Sequence, residues 1–154
     1  GSETDVNHDM ILEAIESQRY DIIVAPEYSY SKYHIMSYSQ SNRYLDELLE
    51  ASRESEALIV PGTTVYQEID ELFNVAHPIF KGFTLVKGGY YKMEDGGEED
   101  WARENNLRGV YQGKKLGLFP WQGLNCGIEI CADRGRLANS GIRANIYSAS
   151  KTFC

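Results

Sequence analysis

Three short apolar stretches of this 154-residue chain each run into a side chain that can do chemistry. "DIIVAP" ends at Glu27, "GGYY" at Lys92 and "CGIEI" at Cys131. A carboxylate, an ammonium and a thiol are together the parts of nucleophilic catalysis. A free thiol holds little thiolate at neutral pH, and a neighbouring cation with a carboxylate base would change that. Lys92 close to Cys131 would favour the thiolate, then hold the oxyanion of a tetrahedral intermediate together with the backbone N–H of Ala132. Glu27 would take the thiol proton. Burial at a strand end raises a carboxylate's pKa while the Lys92 ammonium lowers it, so the two effects oppose each other at Glu27.

The elements that must deliver these residues are written in the periodicity of the chain. Residues 7–20, "NHDMILEAIESQRY", place Met10, Ile11, Ala14 and Ile15 on one helical face behind a candidate Asn7 cap, and lead into a buried strand over 21–26. "SNRYLDELLEASRESE" carries Leu45, Leu48 and Leu49 at helical spacing, with Ser41 or Asn42 as cap, and "ALIVPG" follows as a strand. Two helix-then-strand units in succession predict α/β layers. "FNVAHPIF" and "FTLVKGGYYKM", joined at Lys81-Gly82, predict a hairpin, and residues 94–100, "EDGGEED", an acidic loop. "KLGLFPWQG", "LNCGIEIC" and "RANIYSAS" predict further strands, with "ADRGRLANSG" a short helix before the last. No repeat or linker divides the chain, so residues 1–154 are expected to form a single domain.

With "VAPE" around Glu27, "GGYYKM" around Lys92 and "GIEICAD" around Cys131, in that order, the sequence resembles the nitrilase superfamily, the carbon–nitrogen hydrolases. The resemblance covers about Asp21 to Ser150. It implies an α-β-β-α sandwich and hydrolysis of a non-peptide C–N bond in a small-molecule amide, carbamoyl compound or nitrile, through an acyl-enzyme on Cys131. Glu27 would then return its proton to the leaving nitrogen and activate water against the thioester. A further glutamate that positions lysine and substrate is implied between the Lys and Cys motifs, where Glu98, Glu99 and Glu104 all fall. Homodimers or larger homo-oligomers are implied as well. The family's opening strand is missing and the chain stops near the midpoint of a usual member, so the expectation is the N-terminal half of the domain with the second half absent, in a fragment, a minimal relative or a chain that borrows cover from a partner. Two other readings use the same residues: a binding or assembly module without catalysis, and acyl transfer to an amine in place of water.

Composition narrows the alternatives. With 42% hydrophobic and 25% charged residues the chain has a globular composition, and no apolar stretch is long enough to span a bilayer. A net charge of -8, with Lys114-Lys115 the longest cationic run, argues against nucleic acid. Cys126, Cys131 and Cys154 are too few for a disulfide framework, and no CxxC or His-x-His spacing offers a metal chelate. Reduced thiols, a cytoplasmic location and no cofactor are expected. The opening Gly1-Ser2 reads as an expression scar with no signal peptide behind it.

Plainer readings compete at each position. Lys92 could be an exposed cation pairing with Glu94 or Asp95, a contact worth little. Cys126 lies an odd number of residues from Cys131, faces the other side of a regular strand and reads as a small buried hydrophobe. His8 sits in the first helix, His77 precedes Pro78, and His34 lies in a tyrosine-rich loop, which leaves a Cys–His pair without a good orienter. The SxxK pairs Ser29–Lys32 and Ser148–Lys151 have no supporting motif. "YSYSKYHIMSYSQSNRY", beginning at Tyr28 beside Glu27, is either an entrance loop whose tyrosines meet substrate or a mobile surface loop. Asp133 is expected to cap a helix or pair with Arg134 or Arg136.

Overall fold

The computed structural model describes residues 3–31, 34–135 and 146–149. The first helical periodicity becomes α1 (Glu3–Glu16), with Glu3 and Asp5 in the first turn, where the helix dipole favours acids. Its buried face is Thr4, His8, Ile11 and Ile15, whereas Met10, expected there, is exposed. Asn7 is not a cap. It lies inside α1 and its Nδ2 donates to Ser29 O at 2.8 Å, while Thr4 Oγ1 donates to Tyr30 O at 3.1 Å, tertiary contacts that carry the helix start past Asn7.

β1 (Ile22–Val24) and β2 (Met36–Ser37) precede α2 (Tyr38–Ser52). α2 starts before Ser41 because the Oγ of Ser37 accepts the Gln40 N–H at 3.1 Å and so caps it. The two helices are clamped together by His8, whose Nδ1 pairs with Tyr30 Oη at 2.7 Å and Nε2 with Glu47 Oε2 at 2.6 Å. The Tyr30 end of the tyrosine and serine segment is therefore core and not a loose loop: Tyr30 and Ser31 are buried, and Ser31 Oγ accepts the Val65 N–H and donates to Val65 O.

β3 (Leu58–Val60) is buried throughout and pairs in parallel with β1, each side chain contributing about 1.5–3 kcal/mol by leaving water. Its alternation serves two layers, because Ile59 packs with the helices while Leu58 and Val60 face Phe119, Cys126 and Ile128. β4 (Thr63–Glu68) and β5 (Glu71–Ala76) form an antiparallel hairpin. "TTVYQE" is too polar to register as a buried run, although threonine, valine and tyrosine favour strands. "FNVAHPIF" is not one strand. It leaves β5 at Ala76, crosses at Pro78, which has no N–H for a ladder, and enters a different sheet as β6 (Ile79–Phe80). β6 does turn back into β7 (Phe83–Thr84) through Lys81 and Gly82, both left-handed, at φ 48° and 82°. β8 (Tyr90–Tyr91) then returns to β5.

The second half of the expected acidic loop is instead α3 (Glu98–Glu104), begun by Asp95, whose Oδ1 accepts the N–H groups of Gly97 and Glu99. β9 (Gly109–Val110) pairs with β5, and β10 (Gly117–Trp121) with β11 (Leu124–Glu129) as a hairpin over Gln122-Gly123. β11 pairs in parallel with β12 (Ile146–Ala149). The helix expected over 132–141 falls mostly outside the described residues. Among the described residues the sheets are β1-β3-β6-β7, β2-β4-β5-β8 with β9 on β5, and β10-β11-β12. α1 and α2 cover the first, β10 and β11 pack on its other face, and α3 lies on the second through Val65, Leu72 and Ala102.

"DIIVAP" is not buried as a strand. Among the described residues β1 is an edge, Ile22 and Val24 are 40% and 52% exposed, and a groove of about 580 Å³ is lined by β1 and by Met10, Ile11 and Ala14 of α1. No helix among the described residues is long and apolar enough to cross a membrane.

Gly62 locks the turn beyond β1 against β3. Its φ is +86°, and a Cβ there would stand 2.1 Å from Pro26 O and 2.7 Å from Ser29 Oγ. Gly62→Ala is expected to destabilise the fold by ~2 kcal/mol or more through strain and overpacking, read as a lower urea midpoint. An unchanged midpoint would show that the turn carrying Glu27 is not held there.

Candidate active site

The ladder between β1 and β3 continues one step past Val24, where Ala25 N–H donates to Val60 O at 2.8 Å. The chain then turns at Pro26, whose carbonyl accepts Ser29 Oγ–H at 2.6 Å, and Tyr28 takes a left-handed φ of 64° with its N–H on Thr63 Oγ1. This turn drives Glu27 inward to 8% exposure. Its Oε1 accepts from Asn74 Nδ2 at 3.2 Å and Lys92 Nζ at 3.5 Å, while Oε2, also buried, has no hydrogen-bond partner among the described residues.

Lys92, just beyond β8, is 4% exposed. Its backbone is held on both sides, N–H on Asn74 O and C=O by the Gly113 N–H, each at 2.9 Å. Gly113 is required there because a Cβ would fall 2.0 Å from Tyr91 O. The ammonium does not pair with Glu94 or Asp95 at the surface but with buried Glu98, whose Oε1 also accepts Tyr28 Oη–H at 2.5 Å and whose Oε2 accepts the Gly96 N–H at 2.7 Å. Burial alone would depress the lysine's pKa, but the Glu98 hydrogen bond and the Glu27 charge outweigh it and hold the ammonium above the usual lysine range. Burial likewise opposes ionisation of Glu98, yet Lys92, Tyr28 and the Gly96 N–H keep its carboxyl below the ordinary range. Burial first, then the Glu98 hydrogen bond, push the Tyr28 phenol far up, so it stays protonated.

Among the three candidate glutamates the geometry selects Glu98. Glu99 turns its Oε1 to the Val110 N–H at 3.3 Å, and Glu104 is exposed at the end of α3, so neither is brought to Lys92. Tyr28 meets Glu98 and the edge of Trp101. Asn74 was not foreseen. The one signal for it is an amide side chain in the middle of the apolar run "LFNVA", which must have a buried partner.

Cys131 follows β11 and opens a 3₁₀ turn, Cys131–Asp133, closed by Asp133 N–H on Ile130 O at 2.9 Å. Its φ of 44° is left-handed, a strained conformation for a side-chain-bearing residue and one that lifts the thiol out of the strand line. Cys131 is half-buried, and a thiolate charge on it would add, after Glu98 and Glu27, to what raises the Lys92 pKa. Ala132 closes the same wall, since a Cβ on Gly96 would sit 2.8 Å from Lys92 Nζ and 3.7 Å from Ala132 Cβ. Cys126 is a free thiol fully buried in the core, and Cys154 lies outside the described residues. Asp133 is neither a helix cap nor paired with Arg134, and Arg136 lies outside the described residues: its carboxylate accepts from Tyr90 Oη–H and from the N–H groups of Met93 and Glu94.

The histidines serve elsewhere. His8 clamps the helices, His34 is exposed, and burial pushes the His77 imidazole down to about 4. Among the described residues no group of three or more His, Cys, Asp or Glu is placed to hold a metal ion. Of the SxxK pairs, Ser29 spends its hydroxyl on Pro26 O, and Lys32 and Lys151 fall outside the described residues.

No protein-family model and no curated protein matches the sequence. Solved structures do match its fold. An amidase from Nesterenkonia sp. AN1, with acrylamide added at its active-site cysteine, superimposes with a TM-score of 0.66 at 17% identity, over 84% of this chain and 52% of that one. Nit3 of Saccharomyces cerevisiae, a member of the nitrilase superfamily, gives 0.64 at 18% identity, over 97% and 60%. A CN-hydrolase superfamily protein from Xanthomonas campestris, carrying an arsenic adduct in its active site, gives 0.60 at 15% identity, over 85% and 49%. The chain therefore has the mixed α/β fold of nitrilase-superfamily structures and spans about half the length of these three.

Glu98 gives this site a pH signature. Its folded pKa lies below the ordinary 4.5, so the unfolded chain binds that proton more readily. The stabilisation is present in full above the ordinary value and is lost as the pH falls through the folded one. Glu98→Gln should cost on the order of 2 kcal/mol or more at neutral pH, by leaving the buried ammonium with one carboxylate. The gap in urea midpoint between the two proteins should narrow as the pH is lowered. A gap constant with pH would mean that the pair is not ionic.

Proposed function

We propose that Glu27, Lys92 and Cys131 are the base, the oxyanion-stabilising cation and the nucleophile of a carbon–nitrogen hydrolase acting on a small-molecule amide, carbamoyl compound or nitrile. The observation that carries this reading is the division of labour within two buried groups. Glu27 is anchored through Oε1 by Asn74 and Lys92 and keeps Oε2 without a partner among the described residues, as a base requires. Lys92 has three N–H donors, of which Glu98 and Glu27 take two, leaving the third for developing negative charge.

For an amide, Glu27 takes the Cys131 proton as the sulfur bonds to the carbonyl carbon, and the carbonyl π pair moves onto oxygen. That oxyanion is met by Lys92 and the Ala132 N–H. As the pair returns, the C–N bond breaks and Glu27 passes its proton to the departing nitrogen, leaving a thioester. Glu27 then removes a proton from water as the hydroxide oxygen bonds to the acyl carbon, the C–S bond breaks to release the acid, and Glu27 returns the proton to the departing sulfur, restoring the thiol and its own carboxylate. The neighbouring carboxylates raise the Lys92 pKa and so favour its ammonium, which suits an electrostatic partner and not a base. Glu98 and Tyr28 position it. The fold of the amidase and of the CN-hydrolase above supports this reading, as does the left-handed elbow at Cys131.

Iodoacetamide labelling of each cysteine against pH, read by peptide mass spectrometry, tests the site without a substrate. Cys131 is expected to label fast near neutral pH while Cys126 stays protected, and Lys92→Ala is expected to slow Cys131. In a panel of amides and nitriles, Cys131→Ala should abolish turnover and Lys92→Ala should cost ~3 kcal/mol or more of transition-state stabilisation. Full turnover by Cys131→Ala would end the proposal.

A further inference from the structure

Asp133 is 0% exposed, charged by type, and has no place in the chemical steps above. It lies two residues after Cys131, inside the same 3₁₀ turn, and among the described residues every bond that its carboxylate makes reaches across to the segment that carries Lys92. Oδ2 accepts Tyr90 Oη–H at 2.5 Å, two residues before the lysine. The Met93 N–H, one residue after it, is shared between Oδ1 and Oδ2 at 3.0 and 2.9 Å, and the Glu94 N–H reaches Oδ1 at 2.6 Å. The lysine is thus bracketed by donors that all converge on one residue of the cysteine turn. Nothing in strand pairing does this work, since β8 pairs with β5 and β11 with β10 and β12, in separate sheets.

We infer that Asp133 is a positioning residue that sets the separation between the Lys92 ammonium and the Cys131 thiol by tying the end of one sheet to the elbow of another. This rests on the Glu27–Lys92–Cys131 reading. Geometry and not charge is the agent: the carboxylate's oxygens are consumed by neutral donors, which an asparagine of the same shape can also meet. Its carbonyl accepts from Met93 and Glu94, and its amide can donate to the Tyr90 oxygen. An alanine meets none of them.

The test is the pH profile of Cys131 alkylation by iodoacetamide in the wild-type chain and in Asp133→Ala, Asp133→Asn, Tyr90→Phe and Lys92→Ala, with Cys126 protection reporting on the core. Asp133→Ala should slow Cys131 about tenfold near neutral pH, the loss of thiolate that follows when a thiol pKa rises by about one unit. Asp133→Asn should restore most of the rate, and Tyr90→Phe, which keeps both main-chain bonds, should shift the profile in the same direction by a smaller factor. A merely structural role would lower the melting midpoint and leave the profile of the folded protein where it was. An unmoved profile in folded Asp133→Ala, or in Tyr90→Phe should the alanine variant fail to fold, overturns the inference, and so does failure of asparagine to rescue. If Lys92→Ala shifts the profile and the Asp133 and Tyr90 variants do not, the positioning role alone falls. If Lys92→Ala itself leaves Cys131 unmoved, the underlying lysine–cysteine reading is what has failed.

Discussion

A lysine ammonium buried to 4% exposure is the constraint from which the rest of the site follows. Removing such a charge from water costs several kcal/mol unless its protons meet good acceptors, and a single carboxylate brought in to meet them carries the same cost itself. Two carboxylates surround Lys92, and each needs its own partners. Glu98 is satisfied by Tyr28 and the Gly96 N–H, and Glu27 on one oxygen by Asn74. Within "EDGGEED" it is Glu98 that is buried to meet the ammonium, and a Cβ on Gly96 would stand 2.8 Å from Lys92 Nζ, so that the end of the lysine would have to shift.

The sheets exist in the arrangement that this polar cluster needs. Asn74 on β5 joins Glu27 and Lys92, its side chain donating to Glu27 and its backbone carbonyl accepting the Lys92 N–H. β3 supplies a fully buried strand along which β1 can end abruptly at Pro26 without losing its register. The apolar layers set the positions of the strand ends, and the polar contacts select what happens in the last residue or two beyond each strand.

Sequence alone made the strand ends legible because each couples a short apolar run to a reactive side chain, and the helices because of their period. It was silent where the cause is tertiary. The start of α1 depends on Tyr30 and Ser29, and that of α2 on the conformation of Ser37, none of which periodicity contains. "FNVAHPIF" reads as one strand because hydropathy does not register that Pro78 moves the chain from one sheet to another. Glu98 could not be told from Glu99 or Glu104 until the turn at Asp95 fixed which face of α3 looks inward. Asp133 looked like a cap since a carboxylate after a strand commonly is one, and only the fold brings Tyr90, Met93 and Glu94 to it.

The separations along the chain have a consequence for the order of assembly. Glu27 and Lys92 are 65 residues apart, and Tyr28 and Glu98 are 70 apart. Contacts of such length must await loop closures whose entropy is lost before any contact repays it, whereas helix pairing and the β4–β5 and β10–β11 hairpins close locally. The charged cluster therefore closes the longest loops of these contacts and carries the larger closure entropy. The residues that would perform chemistry are thus also the ones that join the most distant parts of the chain.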